Sequence, residues 1–404
     1  MNDLSNKPDF MKTLFLLLLA FLCLEVQSQT VIPQKGTGSK FSLTCANLYF
    51  EVDSARGARI TSFKLNENEI LYVNFNNPNA KDMAGSTFWQ SPQTWPWPPA
   101  INLDSKPYRA KIKENKIVFS GNTDTGSMLR FYKTMAANAA DTSIIIDYCI
   151  KNEKTSVQKW APWEITRVVN SGLTVFAKGE GKVTGDMISR TKEVTGYIWY
   201  DQKATIGQSG AKFFCDGKGW LAHVVDGDML FIKKFVDMPL LSAAPKEAEI
   251  EVYTASDKSY TELENQGVYA NIASKDSVSW RVKWYARKLP VSVVVSVGST
   301  SLTTFIEGVL KRESPLTKVE VSKNYTAKIY PNPAENTLQV ELGSAFGKTI
   351  YLRLVDLQGR IVLTHSISQP RVQINVEDLQ PGFYMYDIRQ GNESLSKGKL
   401  SIKR

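Results

Sequence analysis

FSLTCANLYFEVDSARGARITSFKLNENEIL, Phe41 to Leu71, is the stretch that decides the fold. Polar and apolar residues alternate through Phe41–Val52, as in a strand with one buried face. Asp53–Gly57 supplies a turn, Ala58–Leu65 alternates again, and a third strand begins at Glu69. The same texture returns in Lys116–Gly121, Ser143–Ile150, Leu173–Gly179, Phe231–Val236, Glu247–Thr254 and Ser277–Ala286, with Gly, Asn, Asp and Ser as punctuation. Only Leu302–Arg312 reads as a short helix. Many short strands without strand–helix alternation predict an all-β chain of antiparallel sheets.

A chain of 404 residues exceeds what one small core absorbs, so two domains are expected. From Met11 the N-terminus carries one lysine, an apolar run from Leu14 to Leu24 and a short polar exit, the form of a secretory signal peptide. That run is too short to cross a bilayer, and Leu22 before Cys23 is too bulky for a lipoprotein cleavage site. The polar segment Glu313–Asn324, with Pro315, separates two strand-rich regions. The expected layout is a signal peptide over 1–28, a linker over 29–40, a large domain over 41–312, a linker over 313–325 and a small domain over 326–404.

Charge excludes some functions. The 49 basic and 40 acidic residues give +9, but the basic residues are scattered, which fits a solvated surface and not a nucleic-acid interface. No membrane-spanning segment is expected in the mature chain. Cys45, Cys149 and Cys215 lack CxxC spacing, so no metal site follows; their pairing stays open, and Cys149 reads as core. No GxSxG elbow, phosphate loop, HExxH or dinucleotide fingerprint is present, and no cofactor is expected.

The C-terminal region carries YPNP at Tyr330–Pro333, the DLQGR turn at Asp356–Arg360, LQPGFYMY at Leu379–Tyr386 and a lysine-rich end. In order and spacing these motifs resemble the C-terminal sorting domain of type IX secretion cargo. Alternation with turn signals at AEN, QGR and PGF reads as a small immunoglobulin-like sandwich of about seven strands or slightly fewer. The resemblance implies engagement of the type IX machinery and a secreted or surface-attached product.

In the large domain, GARITSFKLNENEIL, GSTFWQSPQTWPWPP, APWEITRV and YTELENQG resemble an uncharacterised branch of the galactose-mutarotase-like supersandwich superfamily. That resemblance implies a large antiparallel double sheet and a carbohydrate ligand. Mutarotases use histidine as general acid and a carboxylate as base. Here the corresponding segment reads PWEITR, and His223, in an apolar strand, reads as structural. By the resemblance, a glutamate on a late strand is the base, which points to Glu262 ahead of Glu264. On a strand, Tyr260, Glu262 and Glu264 share one face, the two carboxylates about 7 Å apart; a solvated strand face is the plain alternative. Glu164, between tryptophans, is the candidate proton donor, with Thr166 on its face and Arg167 on the other. The structural alternative is a Glu164–Arg167 ion pair.

Gly85–Ala100 completes the candidate site. Trp89, Trp95, Trp97 and Trp163 offer aromatic faces for sugar rings, while Gln90, Gln93, Arg167 and Glu264 offer groups for hydroxyls. Proline fixes φ across this loop, so its tryptophans lose little entropy on binding. A rigid strap packed over the sandwich end fits the same composition. The expected function is therefore carbohydrate binding, with or without paired-carboxylate chemistry through Glu164 and Glu262. A lyase, a glycoside hydrolase and a non-catalytic surface protein are the alternatives.

Overall fold

The structure is a computed structural model. It describes residues 31–76, 83–202, 211–225, 227–311, 327–342, 350–356, 360–367, 369, 371–390 and 393–403. The expected signal peptide over 1–28, the expected linker over 313–325 and the centre of the DLQGR turn lie outside these residues.

The Phe41–Val52 segment is not one strand. It folds as a hairpin, Lys40–Cys45 against Leu48–Asp53, with Cys45 opposite Leu48 across Ala46 and Asn47. Ala46 adopts φ 52, a conformation usually left to glycine or asparagine. The alternation slips by one residue at the turn, from buried Phe41, Leu43 and Cys45 to buried Leu48, Phe50 and Val52. Gln34–Lys35, inside the expected linker, pairs with the start of this hairpin.

From that edge a twelve-stranded antiparallel sheet extends through Arg59–Leu65 to its centre. There Ser86–Ser91, Gln158–Val169, Tyr260–Gln266, Ile250–Thr254 and Ala211–Cys215 lie side by side. A ten-stranded sheet includes Trp220–Val225, Met229–Phe235, Ser277–Lys288, Ser143–Asn152 and Leu129–Asn138 in neighbouring positions. Aromatic rings bridge the two sheets: Phe50 and Phe63 meet Trp284 at 5.9 and 5.3 Å, and Phe88 meets Phe131 at 5.0 Å, all near edge-to-face. Their apolar faces form one continuous core.

The expected helix spans Thr300–Lys311. Ser299 Oγ accepts the Leu302 N–H at 3.2 Å, an N-cap, while Leu302 and Ile306 face inward. Cys45, Cys149 and Cys215 are free thiols; Cys45 and Cys215 are buried and Cys149 is half-buried.

The C-terminal region has its own core, built by a three-stranded and a four-stranded sheet. Ala334, Leu338, Val340, Leu352, Leu354, Ile388 and Leu400 are its fully buried members among the described residues. Among the described residues no helix is long and apolar enough to cross a membrane.

Candidate functional site

Gln158–Val169 and Tyr260–Gln266 lie at the middle of the twelve-stranded sheet, the first buried on both faces from Ala161 to Val168 and the second throughout. The pleat sends Glu164 and Thr166 inward, toward the second sheet, and Trp163 and Arg167 outward. Glu164 is fully buried between the sheets. It accepts hydrogen bonds from Tyr148 at 2.7 Å and Trp284 Nε1 at 3.2 Å, and pairs with Lys233 Nζ at 2.9 Å. Burial pulls the Lys233 pKa below the ordinary lysine value against the pull of Glu164. The structure therefore does not bring Glu164 to Glu262: they sit on opposite faces of one sheet. The Glu164–Arg167 pair does not form either, for the same reason.

The outward face gathers the other candidates in rows set by strand register. Arg167 stands opposite Glu262, which stands opposite Tyr253. One row along, Ile165, Glu264 and Glu251 align, and beyond them Gln266, Trp163 and Trp89. Arg167 Nη2 meets Glu262 Oε1 at 2.9 Å, and its guanidinium lies 5.7 and 5.8 Å from the Trp89 and Tyr260 ring centres. Trp163 Nε1 donates to Glu264 Oε2 at 2.8 Å. Lys212 Nζ bridges Glu264 and Glu251 at 2.9 and 2.5 Å and sits 5.0 Å from the Trp163 ring centre. Gln266 Nε2 donates to Glu251 Oε1 at 2.7 Å.

The glutamates do not form a solvated strand face. Glu262 is 8% exposed, and Glu264 and Glu251 are buried. Burial pushes the Glu262 carboxyl up to about 7; Arg167 opposes the shift and Glu264 adds to it. Burial likewise holds Glu251 well above the carboxylate range, with Lys212 opposing and Glu264 adding. Burial also works against the Lys212 ammonium, but the Glu264 and Glu251 carboxylates outweigh it and raise its pKa.

Trp89 is the hub of the aromatic cluster. Its ring centre lies 5.6 Å from Trp95, 5.7 Å from Trp97 and 5.6 Å from Trp163, all near edge-to-face. Its Nε1 donates to Asp104 at 2.7 Å, and Arg59 holds that carboxylate at 3.1 Å. Trp89 and Trp163 are buried, Trp95 is half-buried with its Nε1 on the Gln90 carbonyl, and Trp97 is 56% exposed. The Trp95–Trp97 segment is thus part strap and part open surface. Gln90 is buried; Gln93 is exposed, and its backbone N–H donates to Glu247 Oε1 at 3.0 Å, joining the tryptophan loop to the loop before Ile250.

His223 is buried in the ten-stranded sheet, within hydrogen-bonding distance of Thr174 Oγ1 at 3.1 Å. Burial lowers its pKa to about 3, so it is neutral at neutral pH. Sequence reasoning missed Lys212, Glu251 and Gln266. A signal for Glu251 existed: a carboxylate between Ile250 and Val252 in an otherwise apolar strand needs a polar partner on its face. Among the described residues no group of His, Cys, Asp and Glu is arranged to hold a metal ion.

Residues 328–403 match the family profile of the secretion system C-terminal sorting domain. That domain marks the chain for type IX export to a secreted or cell-surface location. No curated protein sequence matches the chain. Solved structures similar to it include a galactose mutarotase-like protein from Clostridium acetobutylicum, at 10% identity, covering 65% of this chain and 100% of the other, TM-score 0.41. A galactose mutarotase-like protein from Lactobacillus casei matches at 9% identity, 61% and 100% coverage and TM-score 0.43. Galactose 1-epimerase from Lactobacillus acidophilus matches at 9% identity, 64% and 99% coverage and TM-score 0.40.

Proposed function

We propose that this is a secreted carbohydrate-binding protein whose ligand lies against the outward face of the twelve-stranded sheet. One observation carries the reading: the Trp89-centred aromatic cluster, with Trp97 exposed, adjoins the Arg167–Glu262 pair. Aromatic faces stack on the C–H faces of sugar rings, and charged groups beside them hydrogen-bond hydroxyls. The sorting domain supports the location, since export brings the chain to extracellular glycans. The test is a glycan array on the full secreted chain, followed by calorimetry on the best binder. Trp97→Ala is expected to weaken binding about tenfold, or ~1.4 kcal/mol. Unchanged affinity in that variant, or no glycan bound by the wild type, refutes the reading.

A second, sugar-active reading is favoured by Glu262. A carboxyl pushed up to about 7 beside Arg167 is suited to gain and lose a proton at neutral pH, as general acid–base work requires. With Glu164 in the interior, the partner in that chemistry is a group on the outward face, Glu264 being the nearest candidate on its strand. Glu262→Gln is then expected to abolish turnover of the bound glycan while leaving binding detectable. Full turnover in that variant rejects Glu262 as the acid or base.

A further inference from the structure

We propose that the corner formed by Glu264, Gln266 and Glu251 is a subsite for the ammonium group of an amino sugar. The proposal rests on the carbohydrate reading above and narrows it to one ligand class.

Two unpartnered acceptors point to a missing donor. Glu264 Oε1 and Gln266 Oε1 are buried and have no hydrogen-bond partner, although the other atom of each side chain is engaged. Leaving such atoms unpaired costs about 1–3 kcal/mol each, a cost a ligand donor removes. Both side chains belong to the outward face, Gln266 in the row of Trp163 and Trp89 and Glu264 in the next row, with Glu251.

Charge distinguishes an ammonium from a hydroxyl. Glu247, Glu251, Glu262 and Glu264 stand on or beside this face against Arg167 and Lys212. Arg167 is committed to Glu262, and Lys212 is shared between Glu251 and Glu264. Burial is the main cause that pushes the Glu251 and Glu262 carboxyls up, against Lys212 and Arg167, and the Glu264 charge adds to each. A hydroxyl would satisfy the acceptors but leave the imbalance. An ammonium does both, and the Trp163 ring, which already carries Lys212 at 5.0 Å, shows that this wall tolerates a cation. A uronate or sulfated sugar would bring negative charge to a corner whose glutamates outnumber the cations paired with them.

Calorimetry on the full secreted chain at pH 6.5 tests the assignment. The probes are a β-1,4-linked glucosamine tetramer, its N-acetylated counterpart, a glucose tetramer of the same linkage and a galacturonate tetramer. The amine-bearing tetramer is expected to bind about tenfold tighter than the glucose and N-acetylated tetramers, and the galacturonate tetramer not measurably. Glu264→Gln is expected to bring the amine and glucose affinities together. If that variant does not fold, Glu251→Gln serves the same purpose. Equal or tighter binding of the glucose, N-acetylated or galacturonate tetramer overturns the amine subsite and leaves the carbohydrate reading standing. If no sugar binds on the calorimeter or on the array, both fall.

Discussion

The two faces of the Gln158–Val169 strand carry the same kinds of residue and treat them differently. Inward, every polar atom of the Glu164–Lys233 pair is used: Glu164 takes Tyr148, Trp284 and Lys233, and Lys233 also donates to Thr166 Oγ1 at 2.9 Å and the Leu263 carbonyl at 2.8 Å. Outward, Glu264 and Gln266 each keep an acceptor without a partner. A saturated buried pair is complete within the fold, whereas an unsaturated one leaves room for something the chain does not supply. The comparison is broken most directly from the inside. Lys233→Met leaves the buried Glu164 carboxylate without its cation and is expected to cost about 3–5 kcal/mol in urea unfolding. Adding Glu164→Gln is expected to restore most of that loss. A cost for Lys233→Met below about 1 kcal/mol would mean that the inward pair is not the structural element its saturation implies.

The faces also predict opposite pH behaviour for two buried groups. His223, inside the fold, has a pKa lowered to about 3 from an ordinary 6.5, so between those values the unfolded chain binds the extra proton. Stability is therefore lost as pH falls below roughly 6.5, by about 1.4 kcal/mol per pH unit while His223 stays unprotonated in the fold. Glu262, on the outward face, has a pKa raised from 4.5 to about 7, so there the folded chain holds the extra proton. Its contribution is present below pH 4.5 and lost as pH rises through about 7. Melting temperatures from pH 4 to pH 8 separate the two. His223→Leu is expected to flatten the acid limb, and Glu262→Gln the neutral one. A wild-type acid limb that survives His223→Leu unchanged would assign the acid sensitivity to other groups.

Part of this contrast was legible in the sequence. Alternation alone put Glu164 and Arg167 on opposite faces, and Tyr260, Glu262 and Glu264 on one. It did not say which face turns inward, because both strands are buried on both sides and no apolar face marks the interior. Nor could it supply Lys233 and Lys212, which reach the site from strands paired through long-range register. The hairpin turn at Ala46–Asn47 escaped notice because it carries no glycine or proline; its mark in the sequence is a one-residue slip in the alternation. Cation position and turn geometry are tertiary outcomes; face membership is local, and it is the local part that the sequence reveals.

The smallest expected effect on stability sharpens the comparison from the outside. Trp97 meets Trp89 edge to face and is 56% exposed. Trp97→Ala should therefore change unfolding free energy by less than about 1 kcal/mol, far below Lys233→Met. The same substitution should weaken glycan binding about tenfold. Measured together by urea unfolding and calorimetry, the two variants separate fold from site: one loses stability through a saturated pair, the other loses affinity through an exposed ring. If Trp97→Ala instead destabilised the chain by several kcal/mol, the tryptophan loop would be a strap that the sandwich needs, and its open ring would carry no claim on a ligand.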